Sequence, residues 1–382
     1  MGREGAVAGA LLAPFLDRNP GFRLRVEQLP WSAAHEKLLT AFAGEATPDV
    51  AQLGNSWVAE LAALDALEPL DAALAEAGID RADYFDGIWR TNVVDGRLVG
   101  VPWYVDTRLL FYRSDLFDRA GVARMPDDWP GLVRALDALQ HSGVAHPLLL
   151  PLNEFEPLLA LALQQDEPLL RDGGRYGNFR SAGFKRALAF YLERFARRHA
   201  PYLEGNAIAN VWQEFGRGTF AAFISGPWNI GELDRRLPET LHARWATAPL
   251  PGPRGPGAST AGGSSLVVFR RSARKAEALK LLAHLSRPET QLAFHALTGN
   301  LPPRRSAWAP LATDARAAAF LRQLERAKAA PAVPEWERIA QEMQLHANRA
   351  LRDGIAVDAV AAGLDARVDG FLAKRRWMLD RA

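Results

Sequence analysis

The sequence predicts an α/β protein of two lobes, each assembled from separate stretches of the chain. Three observations lead to this fold class. Strand-like and helical patterns alternate in the first third of the sequence. The chain has 382 residues, 48% of them hydrophobic, which suits more than one domain with sizeable cores. Three breaks rich in Pro, Gly or polar residues divide it, and three crossings between two lobes make both lobes discontinuous.

Short elements follow one another in the first third of the chain. Residues 6–16 predict a first helix that ends near Asn19. The next patterns are a strand over 22–28, a helix over 33–43, a strand over 49–53 and a helix over 57–67 with Val58, Leu61, Leu64 and Leu67 on one face. This β-α-β-α order predicts a mostly parallel sheet with helices on its faces.

The middle of the chain changes from strands to helices. Two strands are predicted at 99–104 and 109–112, with the polar break 105–108 between them. Asp127 and Asp128 then cap a helix that has Pro130 in its first turn. The later elements are helices at 155–164 and 184–197, the Pro/Gly-rich joint 249–257, a strand at 264–269, helices at 273–285 and 288–297, the Pro-rich stretch 301–304 and a largely helical C-terminal third.

Composition and charge exclude several classes of function. The chain contains no cysteine, so it has no disulfide, no thiolate metal site and no cysteine nucleophile. Lys and Arg number 46 against 44 Asp and Glu, without a basic block, which argues against a nucleic-acid partner. No apolar run reaches the ~18 residues that a membrane helix needs.

Catalytic and metal-binding motifs are not found in the sequence. His35-Glu36 begins like a metalloprotease helix, but Leu39 occupies the position of the second histidine. There is no Gly-x-Ser-x-Gly elbow, and the eight histidines lack metal-ligand spacing. A carboxylate pair for glycoside hydrolysis stays open, because a sequence does not reveal the distances between carboxylates. We predict no catalytic residue, metal or cofactor.

Four tryptophans stand out by their positions. Trp57, Trp103, Trp228 and Trp336 each lie at a predicted strand or helix end, beside small, turn-forming or hydrogen-bonding residues. Such rings suit a sugar, because the apolar face of a pyranose packs on the ring while its hydroxyls bond to nearby carboxylates and amides. Core packing explains any one of these tryptophans equally well, whereas the four contexts together favour a ligand.

A set of short motifs occurs in a characteristic order and spacing. The motifs lie at residues 2–5, 47–50, 54–57, 100–113, 126–129, 223–228, 261–264 and 298–304. Together they cover nearly the whole chain, and the chain resembles the family 1 extracellular solute-binding proteins of ABC-type sugar importers. Within that family it is most similar to the maltose/trehalose-binding type.

The resemblance implies a periplasmic-binding-protein fold of the class II type, in which a hinge joins the lobes and the sugar binds between them. We expect a first lobe of residues 1–107 and 259–305, and a second lobe of 108–258 and 306–382. The implied protein is a periplasmic monomer without enzymatic activity that delivers its ligand to the membrane permease of an ABC importer. The implied ligand is a small oligosaccharide, with maltose and trehalose as the leading candidates.

The resemblance also implies a set of ligand-binding residues at loops and element ends. The set is Arg3, Glu4, Asn55, Trp57, Tyr104, Asp106, Glu154, Trp228, Gly262, Gly263, Arg304 and Trp336. Trp228 is the expected principal stacking platform and Trp336 a second aromatic wall. The backbone at the double glycine is expected to approach the ligand closely, which requires residues without a side chain.

Structural roles are open for two of the charged residues. Asp106 could pair with Arg108 to brace the hinge, and Arg304 could cap a helix. Two departures from the family pattern also stand out. Ser264 follows the double glycine where relatives often carry an aromatic residue. The family's first strand and export signal are missing before residues 2–5, which predicts that Met1 is internal to a longer exported precursor or that the chain is truncated.

Three alternative functions remain open at this point. A glycoside hydrolase would use two of the carboxylates as its acid and base. A scaffold or sensor lobe would use the tryptophans as anchors for a protein partner. Within the family, carriers of glycerol-phosphate-type ligands are the nearest alternative, although the sequence shows no dedicated Arg/Lys cluster for a phosphate.

Overall fold

The computed structural model describes residues 1–74, 77–202 and 210–381, apart from the side chains of Gly2 and Arg3. The chain divides into two compact units. The first consists of Met1–Asp106 and Ala261–Thr313, and the second of Thr107–Thr260 and the chain from Asp314 onward. The predicted α/β class with two discontinuous units is confirmed. The third passage between the units follows Thr313, whereas the sequence placed it after residue 305.

Both units contain helices and strands. The helices are α1 Gly2–Arg18, α2 Trp31–Ala43, α3 Val58–Ala63, α4 Asp86–Arg90, α5 Ser114–Arg119, α6 Trp129–His141, α7 Glu156–Leu163, α8 Ala182–Ala196, α9 Val211–Arg217, α10 Trp228–Arg236, α11 Lys275–Leu285, α12 Pro288–Thr298, α13 Ala315–Leu324, α14 Trp336–Asp353, α15 Val357–Phe371 and α16 Ala373–Leu379. The strands are β1 Val50–Gly54, β2 Val93–Val94, β3 Arg97–Leu98, β4 Val101–Asp106, β5 Leu109–Tyr112, β6 Leu148–Leu149, β7 Leu170–Arg171, β8 Tyr176–Gly177, β9 Ala222–Ser225, β10 Ala246–Ala248, β11 Ser259–Thr260, β12 Gly262–Val268 and β13 Ala327–Lys328. In the part of the chain that the structure describes, no helix is long and apolar enough to cross a membrane.

The first segment of the chain differs from its prediction. Glu4 lies in the first turn of α1 and not in a loop, because the helix begins at Gly2. The strand predicted at 22–28 does not form. Phe22 packs edge-on against Phe15 with ring centroids 5.0 Å apart, while Arg23 and Arg25 are exposed. A segment that buries so few side chains gains little from joining a sheet.

The helix predicted from residue 57 is also shorter than its periodicity indicated. α3 ends at Ala63, and Leu64 is 44% exposed although its spacing placed it on the buried face. Asp65 adopts a positive φ of 57° just after the helix, which stops its continuation. Leu67 is nevertheless buried, as the pattern predicted.

The sheets are mainly antiparallel. In the first unit β12 is the central strand between β1 and β4, and both pairings are antiparallel. The second unit has the order β10-β5-β9-β6, in which β6 with β9 is the parallel pair. The predicted mostly parallel sheet is therefore wrong. That prediction assumed that each helix returns the chain beside the preceding strand, whereas β12 enters the first sheet after the long excursion through the second unit.

The Pro/Gly-rich joint behaves as predicted and forms neither a helix nor a strand over residues 249–257. Its Gly252 carbonyl accepts from the backbone N–H of Trp129 at 2.7 Å. The indole of Trp129 donates to Oε1 of Gln164 at 2.8 Å and stacks on Phe190 with centroids 4.1 Å apart. Trp129 is therefore a structural tryptophan, placed at the start of α6 by the Asp128 cap.

A buried polar network links α6 to α8 in the second unit. Nη1 of Arg194 lies 3.2 Å from Nδ1 of His199, and Nε2 of His199 lies 2.7 Å from Oδ1 of Asp137. A guanidinium can only donate, so Nδ1 accepts and Nε2 carries the proton of a neutral imidazole. Desolvation lowers the pKa of His199, and the charge of Arg194 adds to this effect against the opposing hydrogen bond to Asp137.

We expect this network to make the protein less stable in mild acid. Unfolded histidine titrates near about pH 6.5, and the folded pKa of His199 lies lower. Between the two values the unfolded chain binds more protons, so the free energy of unfolding falls as the pH drops below the unfolded pKa. His199→Gln should therefore lose less stability than the wild type between about pH 7.5 and about pH 5.5, as measured by thermal unfolding.

The matched control is His141→Gln, because His141 is exposed at the end of α6, the helix that carries Asp137. His284 in the first unit also has a lowered pKa caused by burial, so part of the pH dependence should remain in the His199 variant. An identical loss of melting temperature in wild type and His199→Gln would contradict the assignment.

Candidate functional site

Glu4, Tyr104 and Asn300 form a buried polar cluster in the first unit. Oε1 of Glu4 accepts from the hydroxyl of Tyr104 at 3.1 Å and from Nδ2 of Asn300 at 3.3 Å. The three side chains come from α1, β4 and the loop after α12, and each is less than 9% exposed. Among the described residues, Oε2 of Glu4 has no hydrogen-bond partner. A buried carboxylate oxygen without a donor is costly, so this atom suits a ligand hydroxyl.

The orientation of the Tyr104 hydroxyl follows from its surroundings. Burial raises the pKa of Tyr104 well above its ordinary value, and the negative charges of Glu4 and Asp106 raise it further. The phenol therefore keeps its proton at neutral pH and donates it to Glu4. Nε2 of Gln52 on β1 donates to the hydroxyl oxygen of Tyr104 at 3.4 Å. Tyr104 thus connects two strands and one helix of the first unit.

Asn55 directly follows β1 and is held by the neighbouring strand β12. Its Oδ1 accepts from the hydroxyl of Ser265 at 2.8 Å, and its Nδ2 has no hydrogen-bond partner within the described ranges. Asn55 is 9% exposed, so its free donor is held in a nearly dry environment. Like Oε2 of Glu4, this atom is suited to a polar ligand group.

Trp57 follows Asn55 and belongs to an aromatic cluster. Its ring stacks on the imidazole of His35 with centroids 5.0 Å apart and meets the edge of Trp31 at 5.4 Å. Nε2 of His35 lies 2.6 Å from Oε2 of Glu60. The ring of Trp57 is half-buried, and protein groups already contact it on two sides.

Gly262 and Gly263 are needed for the approach of β12 to β4. A Cβ atom on Gly263 would lie 2.3 Å from the carbonyl oxygen of Tyr104, and one on Gly262 would lie 2.5 Å from that of Asp106. Gly263 also has a φ of +122°, which side-chain-bearing residues rarely adopt. The sequence attributed the need for glycine to the ligand, whereas the structure provides a cause within the sheet.

Arg304 is engaged in a structural ion pair. Its Nε donates to Oδ2 of Asp83 at 2.5 Å, and its Nη1 donates to the carbonyl of Ser286 at 2.9 Å. Although burial opposes it, hydrogen bonds from Ser306 and Arg304 lower the pKa of Asp83. Ser286 is the C-cap residue of α11, so the guanidinium caps that helix, as one reading of the sequence proposed, and braces the loop after α12. The ligand contact of Arg304 stays a prediction.

In the second unit Trp228 is the first residue of α10 and is half-buried. The guanidinium carbon of Arg108 lies 4.9 Å from the centroid of its ring. Nη2 of Arg108 is 2.8 Å from Oε1 of Glu156 and 3.8 Å from Oε2 of Glu154. Because Arg108 occupies one face of the indole, the opposite face is the surface on which an apolar ligand group could stack.

The base of α10 is fixed by Asn229. Its Nδ2 donates to the hydroxyl of Ser225 at 2.8 Å, and its Oδ1 accepts from the indole of Trp212 at 2.7 Å. Asn229 is 3% exposed, so both bonds are shielded from water. The position of the adjacent Trp228 is therefore set by a hydrogen-bonded turn between β9 and α10.

The structure brings six of the predicted residues into two sets, one in each unit. Glu4, Asn55, Tyr104 and Asp106 surround the β4 and β12 strand ends in the first unit, and Trp228 and Glu154 lie around Arg108 in the second. Trp336 is 2% exposed within the core of the second unit, which differs from the expected open wall. Arg3 lies outside the side chains that the structure describes.

Three residues of these clusters were not selected from the sequence as ligand residues. Asn300 lies in the matched motif 298–304, directly after the glycine that ends α12 with a φ of +80°. Arg108 was considered only as a hinge brace, and Glu156 was read as part of a helix.

A surface cavity of about 440 Å³ in the second unit is lined by Tyr202, Asn348 and their neighbours and by none of the predicted residues. Within the described ranges, no group of three His, Asp or Glu residues could hold a metal ion.

Residues 10–320 match the family of bacterial extracellular solute-binding proteins. The sugar-binding protein MalE from Xanthomonas citri is 51% identical, with full coverage of this chain, 98% coverage of that chain and a TM-score of 0.97. The GacH receptor of Streptomyces glaucescens shares the fold at 22% identity and a TM-score of 0.84, over 98% of this chain and 96% of that chain. The diacetylchitobiose-binding protein DasA of Streptomyces coelicolor is 23% identical over 84% of this chain and 75% of its own length.

The double glycine makes a direct prediction about stability. Gly263→Ala places a Cβ atom against the Tyr104 carbonyl at a strained φ, so we expect a loss of about 2 kcal/mol or more in the free energy of unfolding. The comparison variant is Gly9→Ala, because a Cβ atom there meets nothing within 4 Å and the residue lies within α1. That change should be neutral or stabilising by up to about 1 kcal/mol. Chemical unfolding measures both, and equal stabilities would contradict the close strand approach.

Proposed function

The chain belongs to the family of bacterial extracellular solute-binding proteins, and on that premise we propose that its ligand is a small, uncharged oligosaccharide. Proteins of this family bind solutes and do not transform them, so the chain is a binding protein and not an enzyme. The glycoside hydrolase considered from the sequence is therefore wrong. The observation that carries the proposal is the Glu4–Tyr104–Asn300 cluster, which presents a buried carboxylate oxygen without a donor among the described residues.

Glu4 and Asn55 offer one acceptor and one donor that sugar hydroxyls can pair with. Oε2 of Glu4 would accept a hydroxyl proton in a charge-assisted hydrogen bond, and Nδ2 of Asn55 would donate to a hydroxyl oxygen. Both side chains are less than 10% exposed and are fixed by Tyr104, Asn300 and Ser265. Groups held in this way lose little conformational freedom when a ligand binds.

Trp228 supplies the apolar part of the proposed interaction. The face opposite Arg108 would pack on the CH face of a pyranose ring, while Glu154, whose side chain is 36% exposed, would accept from a hydroxyl. We propose that each unit contributes its own set of sugar contacts. Trp336 is left out of the proposed contacts because it is 2% exposed.

The charges of the candidate residues support a neutral ligand. Glu4, Asp106, Glu154 and Glu156 bring four carboxylates to the two clusters, whereas the described cations there are the Arg108 guanidinium and the amino group of Met1 beside Glu4. Arg304 is already paired with Asp83. Anions would be repelled by this excess of carboxylates, which argues against the ligands of the glycerol-phosphate type.

We further propose a disaccharide of the maltose or trehalose type. The support is the 51% identity, over the whole chain, with a sugar-binding protein called MalE. In this role the protein would act outside the cytoplasm, in the periplasm, as a monomer that hands its sugar to the permease of an ABC importer. No catalytic step and no cofactor enter this function.

The ligand class is tested by titration calorimetry with maltose, trehalose and glycerol 3-phosphate. We expect one or both disaccharides to bind with a Kd on the order of 1 μM, equivalent to about −8 kcal/mol. Glycerol 3-phosphate should not bind, because its charge faces the carboxylates. Binding of the phosphate in preference to every sugar would contradict the proposal.

The two clusters can be tested one at a time. Glu4→Gln keeps the shape and the bonds to Tyr104 and Asn300 but removes the charge, so we expect about tenfold weaker sugar binding or worse. Trp228→Ala removes the stacking surface and should also cost at least about tenfold. Calorimetry with the tightest-binding sugar measures both effects.

Matched controls are available for both variants. Glu36 and Trp377 are exposed residues outside the clusters, and Glu36→Gln and Trp377→Ala should leave the affinity unchanged. Circular dichroism and melting temperature confirm that each variant is folded. If Glu4→Gln binds the sugar with wild-type affinity, the first cluster is not part of the binding site. If Trp228→Ala does so, the second cluster is not part of it.

A further inference from the structure

Helix α16 is held against the second unit by a basic hairpin. Nη1 of Arg376 donates to the carbonyl of Arg175 at 2.9 Å, and Arg175 forms an ion pair with Asp380. The guanidinium groups of Arg376 and Arg171 each lie 4.6 Å from the ring centroid of Tyr176. The short helix is therefore fixed in place by strands β7 and β8 at several points.

The outer end of this helix is apolar and exposed. Trp377, Met378 and Leu379 are 56%, 53% and 37% exposed. The other large apolar side chains with comparable exposure in the described chain stand singly, for example Val26 and Leu345. Isolated exposed apolar residues are ordinary, whereas three in succession form a patch that favours contact with another surface.

Helix α16 and the hairpin that holds it carry a local excess of positive charge. The segments 170–177 and 373–381 contain six basic residues against two acidic ones, while the whole chain has 46 against 44. The six are Arg171, Arg175, Lys374, Arg375, Arg376 and Arg381. The guanidinium of Arg381 lies 4.0 Å from the ring centroid of Trp377, so charge and apolar surface are in direct contact. We call these two segments together the α16 patch.

We propose that the α16 patch binds the surface of an anionic phospholipid bilayer. Basic residues next to exposed Trp, Met and Leu are the combination that proteins present at a membrane interface, where the aromatic ring lies at headgroup depth. The positive charges complement anionic headgroups, and the three apolar side chains enter the boundary between headgroups and acyl chains. Three exposed apolar side chains are too few for the core of a stable protein interface, which buries ~1,200 Å² or more, but they suffice for a shallow membrane contact. This proposal does not depend on the identity of the sugar.

Vesicle co-sedimentation tests the proposal. We expect the full chain to bind vesicles of equimolar phosphatidylglycerol and phosphatidylcholine at low salt, and to bind far less to pure phosphatidylcholine or at high salt. Trp377→Ser should weaken binding at least about tenfold, because it removes the largest apolar group. The double change Lys374→Gln and Arg381→Gln should weaken it about fivefold for each charge removed.

The controls separate this patch from general surface effects. Leu345→Ser removes an equally exposed apolar residue elsewhere, and Arg254→Gln removes a cation whose side chain is 90% exposed. Both should bind vesicles like the wild type, and all variants should keep the sugar affinity and melting temperature. No binding of the wild type to the anionic vesicles, or equal binding by Trp377→Ser, would overturn the proposal. Self-association that disappears in Trp377→Ser would assign the patch to a second copy and also overturn it.

Discussion

The antiparallel pairing of β12 with β4 is the constraint on which the first unit depends. Two adjacent glycines allow β12 to approach the carbonyl oxygens of Tyr104 and Asp106, at distances that a Cβ atom would forbid. The other edge of β12 pairs with β1 and brings Ser265 to Asn55. One strand thus positions the polar groups at the ends of its two neighbours.

The same ladder lies beside two of the three passages between the units. β4 ends at Asp106, directly before the chain enters the second unit, and β12 begins just after the chain returns at Ala261. Gly262 and Asp106 are register partners in this pairing. The chain therefore leaves the first unit and returns to it at the same paired position. The groups that we propose for ligand binding in the first unit and the joints of the chain therefore share a backbone scaffold.

Local structure was largely predictable because its causes are local. The Asp128 cap of α6, the polar break between β4 and β5 and the irregular Pro/Gly joint each follow from residues a few positions apart. Failures occurred where a local pattern was weak or where a partner was distant. The strand predicted at 22–28 does not form because none of its residues is buried, and the direction of the sheets depended on β12, which enters the first sheet from far along the chain.

The sequence by itself determined the family, most of the elements and the residue types of the candidate site, since motifs and periodicity are properties of short segments. Only the tertiary structure decided that Glu4 meets Asn300, 296 positions away, that Arg304 pairs with Asp83, and that Trp336 is enclosed in a core. Such contacts depend on how separate segments pack in space. Packing of this kind leaves no periodic signal in the sequence, because each partner is set by the fold and not by its neighbours along the chain.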